Sequence, residues 1–482
     1  MTQRYHLLGV GGAGMSAVAE LLAARGHSVS GSDQRESAVL TRLRELGVQT
    51  WVGHDAAHVP DGATVVVSTA VRETNPELAA ARARGLSVLH RSQALARAAE
   101  GLDFVAVAGA HGKTSTSAML AVALADAGLD PSYAIGGTVL AHGTGAHLGS
   151  GQVFVAEADE SDGSFLNYHP RIAVVTNVEP DHLDHHGSEA AFRRSFEDFA
   201  DLIVPGGVLI ACADDDGSAA LAARAAAAGT RAITYGRAVP PDGVEAHVEV
   251  VDAAGESEAT GDSGAAGTRG ARGLLRRTGH GGTAEAELAL QVGGGHMLLN
   301  AAGAWVAGLE LGVAPDVMAN ALGTFTGTGR RFEERGRAGG VRVVDDYAHH
   351  PTEVAATLAT ARRDAGTGRV VVLFQPHLYS RTQAFAGRFA EALTAADEVV
   401  VTDVYPAREE PVAGVDGALI TDAMTPTVTG SRGRYVADRL QAAAAVAELA
   451  APGDLVLTVG AGDVTELGPV ILDRLRTRED SA

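Results

Sequence analysis

The residue with the clearest chemical meaning is Lys113, the only lysine among the 38 lysine and arginine residues of the chain. It lies in AGAHGKTS (108–115), where Gly109 and Gly112 allow backbone N–H groups to point inward and Thr114 stands where a helix begins. Because arginine supplies the positive charge at all the other lysine or arginine positions, the single lysine indicates that this position needs a compact ammonium. The segment predicts a loop that binds the phosphates of ATP, with the Thr114 hydroxyl as a ligand of Mg²⁺. The alternative is an ordinary tight turn, since the two glycines stand closer together than in the standard phosphate loop.

Two carboxylate-rich segments predict a metal site in the same part of the chain. EADESDGSF (157–165) and TNVEPDHLDHH (176–186) each come at the end of an apolar strand. Ligands of open α/β sheets gather beyond the carboxyl ends of the strands, and carboxylate oxygens suit hard cations. Taken alone, the first segment is equally consistent with a solvated acidic loop. Its place beside the second segment and the phosphate loop favours binding of Mg²⁺.

A second glycine-rich turn stands at the start of the chain. Gly9, Gly11 and Gly14 form GxGxxG between a strand and a helix, and Asp33 ends the following strand. This arrangement is typical of a dinucleotide site, so one alternative is a nicotinamide-dependent oxidoreductase. A pyrophosphate at a helix N-terminus can equally belong to a UDP-sugar. The oxidoreductase interpretation leaves the second phosphate loop and its acidic neighbours without a purpose.

Composition restricts the partners and the compartment. The formal net charge of −21 disfavours nucleic acid or an anionic membrane as a partner, but not small anionic ligands. The single cysteine, Cys212, excludes an internal disulfide and fits a reducing compartment. The N-terminal sequence has no signal-peptide pattern, and no apolar stretch is long enough to cross a bilayer. We therefore expect a cytoplasmic enzyme without membrane insertion, either a monomer or a homodimer.

Alternating strand and helix patterns position these residues in an α/β fold of three domains. The domains are predicted at residues 1–100, 101–326 and 327–482, and each repeats the succession of apolar strands and Ala-rich helices that is typical of nucleotide-binding folds. Residues 252–284 interrupt the second domain. They are rich in Gly, Ala, Ser and Arg without an apolar period, so we expect a flexible, solvated loop there.

Four segments together resemble the Mur ligases, a family of ATP-dependent amide ligases. They are GAHGKTS, EADESDGSF, TNVEPDHLDHH and, in the third domain, DDYAHHPTEV (345–354). The resemblance implies an N-terminal Rossmann-like domain that binds UDP, a central P-loop ATPase-type domain and a C-terminal Rossmann-like domain that binds an amino acid. It extends over the chain apart from residues 252–284 and the last few residues.

For ATP and its metal, the resemblance implies two Mg²⁺ ions and a set of residues in the central domain. Thr114 and Glu157 would hold one ion, and His182 would share the second with Glu157. The string GGGHMLLNAAGA resembles the adenine-binding segment of the family, with Met297 in place of an asparagine. On sequence alone a helix start with a buried histidine is as good an interpretation of that string. The implied ATP-binding residues are Gly109, Ala110, His111, Gly112, Lys113, Thr114, Ser115, His296 and Asn300.

The first glycine turn, GVGGAGMSAVAE (9–20), resembles the UDP-sugar site of the same ligases. The N-terminus of its helix would hold the pyrophosphate, and residues that follow the neighbouring strands would surround the nucleotide. The residues implied in UDP-sugar binding are Gly11, Gly12, Ala13, Gly14, Met15, Ser16, Asp33, His54, Ser68, Thr69 and Arg91.

The third domain supplies the remaining candidates. An arginine of GTGRRFE (327–333) would stabilise the charge on a transferring phosphoryl group, although paired arginines are commonly solvated. Arg381 is suited to the carboxylate of an amino acid because a guanidinium binds it with two hydrogen bonds. Histidines are suitable proton acceptors, but the identity of the general base stays open. The predicted catalytic residues are Lys113, Arg330, Arg331, His349 and His350, and the predicted amino-acid-binding residues are Tyr347, His377 and Arg381.

The amino-acid sequence of the first glycine turn (9–20) and the presence of a single lysine favour the alanine-adding branch of the family. Other branches support the second metal with a carbamylated lysine, near a position that is Glu197 here. The implied reaction is the ATP-dependent joining of L-alanine to the lactyl carboxylate of UDP-N-acetylmuramate in peptidoglycan biosynthesis, through an acyl phosphate. The alternative within the family is the recycling ligase that attaches a tripeptide to the same sugar nucleotide and shares the HHPTEV sequence.

Overall fold

The computed structural model describes residues 2–181, 183–252, 270–280, 282–407 and 409–480. Within these ranges the chain forms two compact units, one ending at Thr326 and the other beginning at Gly327. The first unit contains two β-sheets and the second contains one. Helices alternate with largely parallel strands in all three, which confirms the predicted α/β class.

The first sheet carries the N-terminal glycine turn. Its five strands are all parallel, in the order β3-β2-β1-β4-β5. The central strand β1 is buried from Tyr5 to Leu8. The order of the strands reverses beside it. Its carboxyl end therefore opens onto the crevice where ligands bind in such sheets. The elements are β1 (Arg4–Leu8), α1 (Ala13–Ala24), β2 (Ser28–Asp33), α2 (Ala38–Glu45), β3 (Gln49–Val52), β4 (Thr64–Val67), α3 (Pro76–Ala83), β5 (Val88–His90) and α4 (Arg91–Ala98).

The second sheet has ten strands and holds the phosphate loop near its middle. The order is β15-β14-β13-β12-β11-β10-β6-β9-β7-β8, with β8, β14 and β15 antiparallel to their neighbours. The elements are β6 (Asp103–Ala108), α5 (Lys113–Asp126), β7 (Ser132–Val139), β8 (Thr144–His147), β9 (Val153–Glu157), β10 (Ile172–Val175), α6 (Leu183–His186), α7 (Glu189–Asp201), β11 (Val208–Cys212), α8 (Asp216–Ala227), β12 (Arg231–Gly236), β13 (Ala246–Asp252), β14 (Arg272–Gly279), β15 (Ala284–Ala289), α9 (Gly295–Glu310) and α10 (Pro315–Leu322).

Helix α5, which begins at the phosphate loop, is buried around its whole circumference. Every residue from Thr114 to Leu124 is buried, because the helix lies against the sheet on one side and against α9 and α10 on the other. Its apolar residues therefore show no amphipathic period. This packing fixes the start of the helix, and with it the side chain of Lys113.

The prediction of a flexible loop over residues 252–284 is wrong at residues 272–279. Residues 272–279 form strand β14, which pairs antiparallel with β13 on one side and with β15 on the other. The alternation of side chains was hidden by arginines on the exposed face, whereas Leu275 on the other face is fully buried. Residues 253–269 and Gly281 lie outside the described residues.

The second unit is a six-stranded sheet in the order β16-β17-β21-β18-β19-β20, parallel except for β16. Strands β17, β18 and β21 form its apolar centre, and polar residues follow their carboxyl ends. The elements are β16 (Glu333–Ala338), β17 (Val341–Asp346), α11 (Pro351–Ala365), β18 (Val370–Phe374), α12 (Tyr379–Leu393), β19 (Glu398–Val401), α13 (Ala418–Ala423), β20 (Arg434–Tyr435), α14 (Arg439–Leu449), β21 (Leu455–Val459) and α15 (Leu467–Asp480).

Among the residues that the structure describes, every helix falls short of the length and apolarity that a bilayer crossing requires.

Candidate functional site

The phosphate loop leaves β6 and turns directly into α5. Gly109 (φ 135°) and Gly112 (φ 82°) adopt backbone angles that other residues rarely take. A Cβ atom on Gly109 would collide with the hydroxyl of Thr176, which follows the adjacent strand β10. Asn177 then binds the loop backbone twice: its Oδ1 accepts from His111 N at 3.0 Å and its Nδ2 donates to His111 O at 3.0 Å. The loop conformation is thus fixed from the neighbouring strand before any ligand binds.

Lys113 lies among carbonyl and carboxylate oxygens. Its Nζ donates to Gly109 O at 2.6 Å and lies 2.8 Å from Glu160 Oε2. Burial opposes the charged ammonium, but the carboxylates of Glu160, Glu157 and Asp159 outweigh it and raise the pKa of Lys113 to about 12. Burial also raises the pKa of Glu160, in spite of the lysine. The ammonium stays charged at the head of the loop, as phosphate binding requires.

Thr114 and Glu157 come together as the metal-site prediction requires. Thr114 Oγ1 lies 3.0 Å and 3.2 Å from the two carboxylate oxygens of Glu157, which also accepts from Gly136 N at 2.9 Å. A hydroxyl and a carboxylate at this separation offer the hard oxygen donors that Mg²⁺ prefers. The third predicted ligand, His182, lies outside the described residues.

The predicted adenine segment begins helix α9 next to the phosphate loop. Asn300 is buried, and a Cβ atom on Gly112 would lie 2.7 Å from its Oδ1, so the amide stands directly behind the loop. Its Nδ2 faces the sulfur of Met297 at 3.8 Å. His296 is half-buried in the first turn of the helix. The structure therefore places Asn300 beside the phosphate end of the site.

Seven of the eleven predicted UDP-sugar residues line one cleft of about 640 Å³ at the carboxyl edge of the first sheet. Gly11 N donates to Asp33 Oδ2 at 2.9 Å, which ties the glycine turn to the end of β2. Ser16 is buried on α1, and Thr69 is exposed beyond β4. The predicted residues that line the cleft are Gly12, Gly14, Met15, Asp33, His54, Ser68 and Arg91.

A buried carboxylate that sequence reasoning missed lies below this cleft. The side chain of Glu77 is fully buried, and its oxygens lie 3.2 Å from His54 Nδ1, 3.2 Å from His58 Nδ1 and 3.7 Å from His6 Nε2. Ser32 also donates to it, at 2.5 Å. Burial would raise the pKa of Glu77, but His6, the Ser32 hydroxyl and the backbone N–H of Asp55 lower it to about 2. The ionised carboxylate holds the His54 ring at the wall of the cleft.

One ion pair and one hydrogen bond join the cleft to the acidic segment (157–165) of the second sheet. Arg91 Nη2 lies 3.2 Å from Asp159 Oδ2, and the Thr69 hydroxyl donates to Asp162. Burial acts against ionisation of Asp159, yet Lys113 and Arg91 lower its pKa to about 2. The acidic segment thus contacts predicted ATP-site and UDP-sugar-site residues at once.

The second unit brings the predicted amino-acid residues together at the carboxyl edge of its sheet. The ring of His349 lies 5.3 Å from that of Tyr347 and 5.9 Å from that of His377. His377 in turn stacks on Tyr405, which the sequence analysis did not single out. Arg381 is buried in the first turn of α12, with Nη1 3.5 Å from His377 Nδ1. These side chains form one aromatic and cationic cluster.

The two predicted arginines have different surroundings. Arg330 (φ 60°) is bound within its unit: its Nε lies 3.3 Å from the buried Asp345, and its Nη2 donates to Gly460 O at 2.7 Å. Arg331 lies over the ring of Tyr347 at 5.1 Å, with Nη1 3.6 Å from Glu353 Oε1. The guanidinium of Arg331 therefore makes fewer contacts than that of Arg330, which is held within its unit by Asp345 and the Gly460 carbonyl.

His349 and His350 also differ. His350 is fully buried and caps α11, with its Nδ1 accepting from Thr352 N at 3.4 Å. His349 is half-buried and lies 3.2 Å from Glu353 Oε2, so a carboxylate orients its ring. Of the two candidate bases, His349 has the geometry of an oriented proton acceptor.

Comparisons with known proteins agree over almost the whole chain. Three family models match: the Mur ligase family catalytic domain at residues 4–102, the Mur ligase middle domain at 107–308, and the Mur ligase glutamate ligase domain at 330–462. Proteins named UDP-N-acetylmuramate–L-alanine ligase from Kineococcus radiotolerans and Renibacterium salmoninarum are 55% and 52% identical, over 98% of this chain in each case and 97% and 96% of theirs.

Solved structures show the same likeness. A UDP-N-acetylmuramate–alanine ligase from Thermotoga maritima matches with a TM-score of 0.75 at 27% identity, covering 99% of this chain and 100% of that one. A murein peptide ligase from Psychrobacter arcticus matches with a TM-score of 0.68 at 25% identity, covering 98% and 99%. The resemblance drawn from the sequence motifs is confirmed. The chain belongs to the Mur ligase family.

Proposed function

We propose that the chain joins L-alanine to the lactyl carboxylate of UDP-N-acetylmuramate with hydrolysis of ATP to ADP and phosphate, a step of peptidoglycan precursor synthesis. The names of relatives at 52% and 55% identity over nearly the full chain support this substrate pair. The structural observation that carries it is the acidic segment, in which Glu160 contacts Lys113 and Asp159 contacts Arg91. A phosphate loop and a sugar-nucleotide cleft thus share one set of carboxylates.

In the proposed reaction the protein positions groups and neutralises charge. The carboxylate of the sugar attacks the γ-phosphorus of ATP, an O–P bond forms, and ADP leaves, giving an acyl phosphate. Lys113 and the backbone N–H groups of the loop hold the phosphates. Thr114 and Glu157 would hold Mg²⁺, which when bound offsets phosphate charge, and His182 is the proposed ligand of a second ion. Arg331, whose guanidinium makes fewer contacts within its unit than that of Arg330, is the proposed partner of the transferring phosphoryl group.

We assign amide formation to the cluster of the second unit. Arg381 would bind the carboxylate of L-alanine, with Tyr347 and His377 beside it. The alanine nitrogen attacks the acyl carbon, a C–N bond forms, phosphate leaves, and the nitrogen loses a proton. His349, oriented by Glu353 at 3.2 Å, is the proposed acceptor of that proton.

The same proposal assigns a task to each domain. Residues 1–100 bind the UDP-sugar, residues 101–326 bind ATP, and residues 327–482 bind the amino acid. The matched family models, which end at 102 and 308 and begin again at 330, support these boundaries. A reducing cytoplasm, where ATP and sugar nucleotides are made, suits a chain with one buried cysteine. We propose a monomer or homodimer.

A second candidate function is attachment of a tripeptide to the same sugar nucleotide, since a murein peptide ligase shares the fold at 25% identity. An assay of ADP release distinguishes the two candidate functions. Purified protein with ATP, Mg²⁺ and UDP-N-acetylmuramate is given either L-alanine or the tripeptide L-Ala-D-Glu-diaminopimelate. We expect turnover with L-alanine and none with the tripeptide. Turnover with the tripeptide and none with L-alanine would replace the proposed function by the tripeptide-attaching one. For the oxidoreductase alternative, we expect no absorbance change when a nicotinamide cofactor is added.

A further inference from the structure

A small pocket of about 90 Å³ lies between the glycine turn of the first sheet and the metal-site carboxylate of the second. Gly14 and Arg91 form one side and are also part of the UDP-sugar cleft. Glu157, which binds Thr114, forms the opposite side. Between them the walls are apolar and include Val18 and Ile135. Any substrate that runs from the pyrophosphate turn to the phosphate loop passes this pocket.

Tyr168 is the unusual residue of the pocket. Its side chain is 5% exposed, and its ring packs against Phe104 with centroids 5.1 Å apart. Among the hydrogen bonds of the described residues, the Tyr168 hydroxyl has no partner, although it lines the pocket beside Arg91 and Asp159. Its hydroxyl oxygen is not fully enclosed by protein atoms, so a ligand in the pocket can reach it. The Tyr168 hydroxyl can therefore donate a hydrogen bond to an acceptor on a ligand in the pocket.

We propose that this pocket binds the acetamido group of the sugar, with the Tyr168 hydroxyl donating to its carbonyl oxygen. The inference rests on the proposed function and adds a specificity-determining residue to it. The apolar walls suit the methyl group, while a neutral carbonyl oxygen accepts the unpaired O–H. A carboxylate is disfavoured there because Glu157 and Asp159 both line the pocket, and the one guanidinium, that of Arg91, is already paired with Asp159. A volume near 90 Å³ holds about three water molecules, which is the size of an acetamido group.

The first test is the variant Tyr168→Phe, which removes the hydroxyl and keeps the ring. We expect KM for UDP-N-acetylmuramate to rise about tenfold, the value of one hydrogen bond, with KM for ATP and L-alanine unchanged. The melting temperature should stay nearly the same, because the hydroxyl makes no hydrogen bond to another described residue. A structural role would give the opposite pattern, a lower melting temperature with KM unchanged.

Tyr133→Phe is the matched control. Tyr133 is equally buried in the same unit, but its hydroxyl is bonded to His142 Nδ1 at 2.8 Å and it does not line the pocket. This variant should lower the melting temperature and leave KM for the sugar nucleotide unchanged. An equal rise of KM in both variants would overturn the proposal, since a general loosening of the unit would then explain it.

The second test uses the substrate. A pocket of this size should reject the N-propionyl analogue of UDP-N-acetylmuramate, with a KM at least tenfold above that of the parent for the wild-type protein. Equal KM values for the two would place the acyl group elsewhere and overturn the assignment. The proposed function fails in a different way: the wild-type protein would then release no ADP with UDP-N-acetylmuramate and L-alanine.

Discussion

The ammonium of Lys113 lies 2.8 Å from Glu160 Oε2, and the carboxylate of Glu160 is itself only 1% exposed. Lys113 Nζ also donates to the carbonyls of Gly109 and Ala110 at 2.6 Å and 3.2 Å. Three acceptors therefore surround one nitrogen at the start of α5. A guanidinium is planar and larger, and cannot match these acceptors from the same Cα position.

Lys113→Arg is therefore expected to lower kcat by two or more decades while the protein stays folded. The reason is loss of one preorganised charge at the phosphates, which costs about 3 kcal/mol of transition-state stabilisation. The measurement is ADP release together with the melting temperature. Arg193→Lys, an exposed exchange on α7, serves as a control and should change neither quantity. Wild-type activity in Lys113→Arg would contradict the phosphate-loop assignment.

Thr114 and Thr116 provide a matched pair for the metal site. Thr114 Oγ1 lies 3.0 Å from Glu157, whereas the buried Thr116 Oγ1, two residues along α5, has no hydrogen-bond partner among the described residues. Thr114→Val should raise the Mg²⁺ concentration for half-maximal rate about tenfold or more. Thr116→Val should leave it unchanged. A rate titration against Mg²⁺ for both variants checks this, and equal curves would remove Thr114 from the metal site.

Glu77 predicts a pH dependence of stability. Its pKa is lowered from 4.5 to about 2 in the fold, so its contribution is complete above about pH 4.5 and is lost as the pH falls towards 2. Glu77→Gln should therefore lower the free energy of unfolding at pH 7 by about 3 kcal/mol, and by progressively less below pH 4.5. The exposed Glu73→Gln should show no such trend. Unfolding by denaturant at several pH values decides between these outcomes.

Arg330 and Arg331 are expected to respond differently to truncation. Arg330→Ala would leave the fully buried Asp345 without its ion pair, and should destabilise residues 327–482 by about 3 kcal/mol. Arg331→Ala should leave the melting temperature nearly unchanged and lower kcat about a hundredfold. Calorimetry and ADP release are measured on both variants. A stable Arg330→Ala variant with abolished turnover would return the catalytic role to Arg330.

Leu275 tests the strand that replaces the predicted loop. Because Leu275 is fully buried between β13 and β15, Leu275→Ala should lower the free energy of unfolding by about 3 kcal/mol. The adjacent exposed Arg276→Ala should change it by far less. A loop would tolerate both changes equally. Identical melting curves for the two variants would therefore show that β14 contributes nothing to the sheet.

Local patterns were enough to predict the strands that lead into the site. The strand that Asp33 is predicted to end is present as β2 (Ser28–Asp33) and ends at that residue. The apolar stretch at 370–374 forms β18 in the same way. Lys113 was identified by its place in a glycine-rich loop and by being the only lysine of the chain, and the structure places its ammonium at the head of the loop.

Residues that meet only after folding escaped prediction. Glu77 gathers His6, His54 and His58 from different parts of the chain, and no spacing rule brings those positions together. Arg330 pairs with Asp345 on β17, a contact that its sequence context did not reveal, and its predicted catalytic role stays a prediction. Strand β14 was missed because exposed arginines masked its alternating period.

The contact between Arg91 and Asp159 would couple the binding of the two nucleotides proposed for the first unit. Asp159 lies two residues from Glu157 and next to Glu160, and its charge contributes to the field at Lys113. A sugar nucleotide that draws Arg91 away from Asp159 leaves more negative charge near the ammonium, and so changes the affinity for ATP. Thermodynamic reciprocity then requires ATP to change the affinity for the sugar nucleotide by the same factor. Neither dissociation constant of this protein is a fixed number; each is a function of the other ligand's concentration.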